Sequence, residues 1–373
     1  MIWLNNQTHQ LLKPNAKQLF YKNFDIENSI STQKLFNNAE VIFREILLCT
    51  KQEFDYVSSF YCKESIFVNF LSLLTPFFEE NGKNRILLPT IAEENFINIF
   101  QYLQYHNFAY DWVVCNKEGI IEKNDFIEAI SPKTLLFSLS LADGLLGTII
   151  PLEEILPIIK ERKILLHIDF SHYIKYLKVN KNLIDQIDII TFSGSSLGGF
   201  PGSGGMFIRK SLLKYKNIFS NSFQNNSPNL LASLNISFAK ELSFYYSSLE
   251  QNNVETTNLR NYFEKKLLQL IPNVQILFTK NSRLPNVSTI IFNKIPAESL
   301  AFLLFSEEII CNLGFNQFQP LSQSLQSCGY SPLEAYSALS FAFDISHDFD
   351  TVNRFISILE KKVKNLIKQN KII

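Results

Sequence analysis

The chain of 373 residues is poor in several features that mark specialised proteins. It has only 12 glycines, two tryptophans and two methionines, and its 35 basic side chains are matched by 35 acidic ones. A chain without net charge lacks the long-range positive field that holds nucleic acid, so we expect no nucleic-acid partner. Apolar residues make up 46% of the chain, which is typical of a globular protein, and its length predicts more than one small core.

Cysteine is also scarce, and no long hydrophobic run is present. The five cysteines are widely spread and form no CxxC pair, which excludes a zinc motif or a disulfide framework of the usual spacing. The opening stretch "MIWLNNQTHQ" lacks the basic start and apolar core of a signal peptide. The most apolar stretch, "SIFVNFLSLLTPF", is too short and interrupted to span a bilayer. We therefore expect a cytoplasmic protein with reduced thiols and no membrane partner.

Short apolar runs bounded by turn residues recur through the first two-thirds of the chain. Between several of them lie stretches with helical periodicity, such as "PLEEILPIIKERK" at 151–163. Continuous apolar strands that alternate with helices predict a mainly parallel sheet covered on both faces. The predicted strands span residues 85–91, 111–116, 134–142, 163–170, 187–194 and 205–210.

The last third of the chain has a different character. A long helical stretch covers 229–271, and the strand-like runs "NVQILF" and "VSTIIFN" follow it. A closing helix is indicated by apolar residues at helical spacing, from Val352 to Leu366, with Ser346 and Asp348 as candidate caps. The chain is thus predicted to be α/β, a large domain followed by a smaller α+β domain.

Half of the chain's glycines lie in one segment, "TFSGSSLGGFPGSGG" at 191–205. It follows the predicted strand "IDIITF", while Asp169 ends the neighbouring strand "KILLHIDF". In parallel sheets ligands sit beyond the carboxyl ends of the strands. We therefore expect Asp169 and the glycine segment to be neighbours in space and to border a ligand site.

Several motifs in the right order resemble the class V aminotransferases, and within them the cysteine desulfurases. These enzymes use pyridoxal 5'-phosphate (PLP) and have fold type I. The segment "FSGSSLGGFPGSGGMFIRK" resembles the family's "FSAHKxxGPKGxGxLYxRK" without a gap, and "HIDFSH" resembles "HxDxxQ". Further matches are "WLNNQTH", "GTIIPLEEI", "NSPN", "RLPN" and "SPLEAYSALSFAFD".

The resemblance implies a fold, a cofactor and a partner. It implies a large PLP-type domain at 16–245, with a seven-stranded type of sheet, and a small domain formed by 1–15 with 246–373. It also implies a homodimer and PLP as the cofactor, with Asp169 at the acid that pairs with the pyridine nitrogen. The candidate cofactor-binding residues carried over are Asp169, His172, Ser193, Ser195, Ser196 and Ser227.

The family's reactive groups are missing from the matching positions. The lysine that holds PLP as a Schiff base falls on Ser196, and a serine hydroxyl forms no imine. No lysine lies between Lys181 and Arg209. Other family residues are also replaced at the matching positions. The chain has Ser195 in place of the histidine before that lysine, Glu94 in place of the ring-stacking histidine, residues 143–145 in place of "NNE", residues 58–64 in place of the phosphate turn, Gln317 in place of the sulfur-accepting cysteine and Ser340 in place of the carboxylate-binding arginine.

Three interpretations follow from this pattern. The favoured one is a catalytically inactive relative of the cysteine desulfurases, kept as a binding or scaffold protein with a protein partner. An alternative is an enzyme that holds PLP or its amine form (PMP) noncovalently and acts on an amino acid, with Asp169 and His172 at the ring. A third is an active enzyme in which Lys175, the nearest lysine after Asp169, replaces the missing one.

Overall fold

The structure, a computed structural model, describes residues 2–5, 14–24, 29–57, 63–213 and 228–370. None of the helices in these ranges combines the length and the apolar composition that crossing a membrane requires. The strands are β1 (Ile2–Trp3), β2 (Phe54–Val57), β3 (Arg85–Pro89), β4 (Ala109–Val113), β5 (Thr134–Ser140), β6 (Leu165–Asp169), β7 (Ile189–Ser193), β8 (Gly204–Arg209), β9 (Val274–Ile276), β10 (Val287–Phe292), β11 (Ile309–Ile310) and β12 (Ala338–Ala342).

A seven-stranded sheet forms the centre of the large part of the molecule, with the strand order β2-β8-β7-β6-β5-β3-β4. The five strands from β7 to β4 run parallel, whereas β8 and β2 are antiparallel to their neighbours. Every residue of β7 and all but one of β6 are buried, as expected for apolar strands covered on both faces. The predicted α/β fold with a mainly parallel seven-stranded sheet is confirmed.

Helices cover the sheet and form most of the remaining structure. Of the helix predicted at 151–163, only Leu156–Glu161 is helical. The helical stretch predicted at 229–271 is divided into two helices at Ser248, whose backbone leaves helical geometry. The helices are α1 (Pro14–Phe24), α2 (Ser29–Leu47), α3 (Lys63–Asn81), α4 (Glu94–Leu103), α5 (Lys123–Ala129), α6 (Leu156–Glu161), α7 (Lys181–Ile184), α8 (Pro228–Ser247), α9 (Leu249–Leu270), α10 (Ala297–Phe305), α11 (Leu321–Ser327), α12 (Pro332–Ala335) and α13 (Phe349–Asn370).

A smaller antiparallel sheet, in the order β12-β10-β9, forms the second centre. Its core contains residues of α9, α10 and α13, and it also takes up Ile2 and Leu4 from the start of the chain. The helix α13 begins directly after Asp348, which is one of its two candidate caps. Asp348 Oδ1 accepts the backbone N–H of Thr351 at 2.8 Å, whereas the Ser346 N–H is bound to Asp344.

The glycine segment forms a closed turn between β7 and β8. Gly198 and Gly202 have φ angles of 84° and 87°, which residues with a side chain rarely adopt. The Gly194 N–H donates to the Ser203 carbonyl at 2.9 Å, and a Cβ at Gly194 would lie 2.0 Å from the Ser203 hydroxyl. The concentration of glycine is therefore explained by the shape of this turn.

Candidate functional site

Asp169 and the glycine turn are neighbours, as the sequence predicts. Asp169 is buried at the carboxyl end of β6, next to Thr191 on β7. Its Oδ1 accepts the Ser171 N–H at 2.9 Å, and its Oδ2 accepts the Thr191 hydroxyl at 2.5 Å. The Ser171 hydroxyl in turn accepts the Ser193 N–H at 2.8 Å, so the two strand ends are joined directly.

A chain of hydrogen bonds supports Asp169 from inside the sheet. Because the Thr191 hydroxyl donates to Asp169, it accepts from Nε2 of His167, at 2.9 Å. Nδ1 of His167 then accepts the Ser138 hydroxyl at 2.7 Å. Complete burial lowers the pKa of His167 to about 3, so this imidazole is neutral. We call Ser138, His167, Thr191 and Asp169 the Asp169 network.

His167 was not singled out as a candidate from the sequence. Its position two residues before Asp169 on a strand carried the signal, because residues i and i+2 of a strand share one face. The network fixes both the orientation of the Asp169 carboxylate and the tautomer of the histidine behind it.

His172 lies in a second group of side chains beyond the strand ends. Its imidazole packs against Phe318, with ring centroids 5.4 Å apart, and its Nε2 lies 3.5 Å from Glu93 Oε1. A Cβ at Gly144 would lie 2.5 Å from the His172 ring, so the imidazole occupies the space of a side chain at that position. Burial lowers the pKa of His172, but Glu93, Asp169 and Asp143 outweigh it, and the net shift is upward.

Two buried acids face this histidine. Glu93 accepts the Ser140 hydroxyl at 3.0 Å, and Asp143 Oδ1 accepts two backbone N–H groups of the following turn, at 2.8 and 2.7 Å. Burial raises the pKa of Asp143 to about 6, and Glu93 adds to the rise, while the backbone N–H groups and His172 oppose it. We call Glu93, Asp143 and His172 the His172 cluster.

The acid at this place is not the one that the motif alignment indicates. Glu94 is half-buried on α4, and Asn98 of the same helix donates to its Oε1 at 3.5 Å. Glu93, the residue immediately before α4, is the carboxylate that lies beside His172. The motif spacing could not distinguish them, because the direction of a side chain at a helix start depends on the turn that leads into it.

Three of the candidate serines lie at the end of β7 and in the turn that follows it: Ser193 is the last residue of the strand, and Ser195 and Ser196 belong to the turn. The Ser193 and Ser195 hydroxyls are 2.8 Å apart, and Ser196 is buried in a 3₁₀ turn at 195–197. Ser227 lies outside the described residues, as do positions 58–62 of the phosphate-turn match. Among the residues described, no group of three or more His, Cys, Asp or Glu side chains could hold a metal ion.

Lys175 is engaged in a buried ion pair. Its Nζ lies 3.2 Å from Asp344 Oδ2, and both side chains are almost completely buried. The Tyr176 and Tyr245 rings contact the same ammonium group, at 5.0 and 5.3 Å. Asp344 follows β12, so this lysine joins the large sheet region to the small one.

The segment 312–320 packs against the start of α4 and, through Phe318, against His172. The Gln317 carbonyl accepts the Asn95 N–H at 3.4 Å, and the Gln319 side chain donates to two carbonyls just before α4, at 3.0 and 2.8 Å. Ser340 is fully buried and donates to the Leu145 carbonyl at 2.6 Å. Burial raises the pKa of Cys311 to about 12, which keeps this thiol from ionising.

Comparison with known proteins agrees with this architecture. The family model described as "Aminotransferase class-V" matches residues 80–354. The cysteine desulfurase IscS of Methanosarcina thermophila is 25% identical over 298 residues, which cover 77% of this chain and 72% of that protein. The cysteine desulfurase IscS of Dictyoglomus turgidum is 24% identical over 250 residues, which cover 66% of this chain and 61% of that protein, less than two thirds of its length.

Solved structures show the same fold at low sequence identity. One described as a NifS-like protein has a TM-score of 0.82 at 18% identity and covers 98% of this chain and 100% of that one. A NifS-like protein from Rickettsia africae has a TM-score of 0.79 at 18% identity, with 98% and 99% covered. The chain therefore belongs to the class V aminotransferase family and has the type I fold of PLP-dependent enzymes.

Proposed function

We propose that this protein is a cysteine desulfurase-like member of its family that does not catalyse the PLP-dependent reaction. The observation that carries the proposal is Ser196, a buried hydroxyl in the turn where the resemblance puts the cofactor's lysine. A hydroxyl forms no imine with an aldehyde, and it has no basic nitrogen to move a substrate proton.

The described residues do not fit PLP held as an imine. The nearest lysine after Asp169 is Lys175, and its ammonium group is paired with Asp344. The buried acids Glu93 and Asp143 lie beside His172, and their negative charges disfavour binding of a doubly charged phosphate ester near this histidine. No catalytic step through this cofactor is therefore assigned to the chain.

The direct test of this proposal restores the missing group. With dithiothreitol present to reduce any released sulfane sulfur to sulfide, we expect neither the natural protein nor Ser196→Lys to form alanine and sulfide from cysteine, because Gln317 and Ser340 still stand at the thiol and arginine positions. A cysteine desulfurase assayed in parallel serves as the positive control. Turnover by the natural protein would contradict the proposal, and turnover by Ser196→Lys alone would show that one substitution separates the site from catalysis.

A second function is favoured by one specific observation, the position of Asp169. Its buried carboxylate is oriented by Thr191 and Ser171 at the carboxyl end of β6, which suits the pyridine nitrogen of a noncovalently held PLP or PMP acting on an amino acid. Equilibrium dialysis with pyridoxamine phosphate tests it. Binding that is lost in Asp169→Asn supports this second function, and the absence of binding excludes it.

We further propose that the protein is a homodimer. The surface formed by α1 and α8 exposes Tyr21, Phe24 and Phe244, at 60, 44 and 67%. Phe20 of α1 contacts Phe200 of the glycine turn at 4.6 Å between ring centroids, so α1 packs against the turn that contains Ser196. Sedimentation should show a dimer that Phe244→Asp dissociates, whereas Phe302→Asp on α10, a residue 71% exposed, should leave it intact.

We also propose the domain division that the resemblance implies, with a large domain at 16–245 and a small domain formed by 1–15 with 246–373. Ile2 and Leu4 support it, because they lie in one hydrophobic cluster with residues of β10, β12 and α13. The protein partner and the cytoplasmic location stay predictions. The protein partner is tested by co-purification from native cells, in which the natural protein is compared with the Phe244→Asp variant.

A further inference from the structure

Two buried carboxylates in the His172 cluster share one group of opposite charge. Glu93 and Asp143 are 7 and 5% exposed, and His172 is their one cationic partner among the described residues. The other donors to these acids are neutral: a hydroxyl for Glu93 and two backbone amides for Asp143. The cluster therefore has more negative charge than its own residues compensate.

A second observation concerns the imidazole itself. His172 Nε2 is buried and makes no hydrogen bond of normal geometry, and Glu93 Oε1 lies 3.5 Å from it as an ion-pair contact. The ring is held in place by Phe318 on one side and by the Gly144 backbone on another. Buried polar atoms without a partner are rare and unfavourable in folded proteins, so this nitrogen points to a ligand atom beside it.

The chemistry of the cluster decides which ligand fits. When an ammonium group supplies the positive charge, His172 can release its proton, and the two carboxylates and the imidazole lone pair are then three acceptors for the three N–H donors of a primary ammonium group. A cation also compensates the charges of Glu93 and Asp143, whereas an anion would add a third negative charge to a buried site. The His172 and Glu93 side chains are only 5 and 8% exposed, which restricts entry to a slender group.

We propose that the His172 cluster binds a small primary amine that carries neither phosphate nor carboxylate. The ammonium group is held by Glu93 and Asp143 and donates to Nε2 of His172. A carboxylate on the ligand would lack a cationic partner in the cluster, because Ser340 stands at the position of the family's arginine. The proposal rests on the proposed function, since a site serving an anionic cofactor would be hindered by these two acids.

Titration calorimetry on the full chain tests the proposal, with ethylamine and 1,4-diaminobutane as probes. We expect one amine per chain, and no heat from inorganic phosphate at the same ionic strength. Glu93→Gln should weaken the amine at least about tenfold, the effect of losing one charge-assisted hydrogen bond. Glu94→Gln is the matched control, because Glu94 carries the same charge one residue later and contacts Asn98 on its own helix.

The outcomes separate this inference from the proposed function. No amine binding at millimolar concentration, or equal weakening by both glutamine variants, overturns the inference and leaves the proposed function standing. PLP that binds as a borohydride-reducible imine overturns both. Should Glu93→Gln fail to fold, Asp143→Asn makes the same test, because its Oδ1 still accepts the two backbone N–H groups that hold the turn.

Discussion

The Asp169 network and the His172 cluster lie at the same edge of the large sheet, yet they differ in how their polar groups are satisfied. In the network, Ser138 donates to His167, His167 to Thr191 and Thr191 to Asp169. In the cluster, two acids share one imidazole whose Nε2 makes no hydrogen bond. A satisfied network is expected to stabilise the fold, whereas the cluster is expected to cost stability and to serve binding.

The largest effect is expected from breaking the Asp169 network. His167→Ala removes a fully buried ring and two hydrogen bonds, and it leaves Ser138 and Thr191 without their partner. We expect the free energy of unfolding to fall by about 3 kcal/mol in urea denaturation followed by circular dichroism. His106→Ala, at an exposed histidine, is the control and should cost less than about 0.5 kcal/mol. A similar small loss from both variants would contradict a structural role for the network.

An opposite and smaller effect is expected in the His172 cluster. Asp143 has a folded-state pKa of about 6 against 3.8 for an unburied carboxyl, so the unfolded chain loses this proton first as pH rises. The carboxyl therefore lowers stability progressively between pH 4 and pH 6. Asp143→Asn should unfold like the natural protein at pH 4 and be more stable by about 2 kcal/mol at pH 7.

Unfolding in urea across this pH range measures the difference, with Asp350→Asn at an exposed position of α13 as the control. The raised pKa of His172 acts in the same direction, because the stability it contributes when protonated is lost as pH rises above 6.5. A gap between Asp143→Asn and the natural protein that is constant with pH would mean that Asp143 does not titrate in the folded state.

The smallest effect is expected from a substitution that tests where the His172 ring lies. Gly144→Ala brings a methyl group into the His172 ring, and displacement of the ring should cost about 1 kcal/mol. In a His172→Ala background the same substitution should be nearly neutral, because the obstructing ring is gone. A double-mutant cycle by chemical denaturation measures this coupling, and additive effects would place the imidazole elsewhere.

Most of the fold could be predicted from the sequence, because its signals are local and repeated. Apolar runs such as 134–142 and 187–194 lie within two residues of β5 and β7, and the amphipathic spacing that begins at Val352 predicts α13. That Asp169 and the glycine turn are close in space could also be predicted, because β6 and β7 are adjacent parallel strands whose carboxyl ends lie at the same edge of the sheet. These features depend on residues that are close in sequence or on one rule of sheet geometry.

The composition of the site could be predicted only in part, because it depends on contacts between distant segments. Asp169 and His172 were expected there, but Glu93, Gly144 and Phe318 join them from three separate loops. The pairing of Lys175 with Asp344 joins residues 169 positions apart, and no spacing in the sequence indicates it. Sequence motifs gave the positions of lost groups, whereas their new neighbours required the fold.

The visible absorption spectrum of the purified protein, with PLP added and the excess removed by desalting, tests the central claim most directly. Absence of a retained band is the predicted result, because Ser196 forms no imine and Lys175 is paired with Asp344. A retained band that borohydride does not change would favour the noncovalent function through Asp169. A retained band that borohydride reduces would show a lysine bound to the cofactor and would contradict the account.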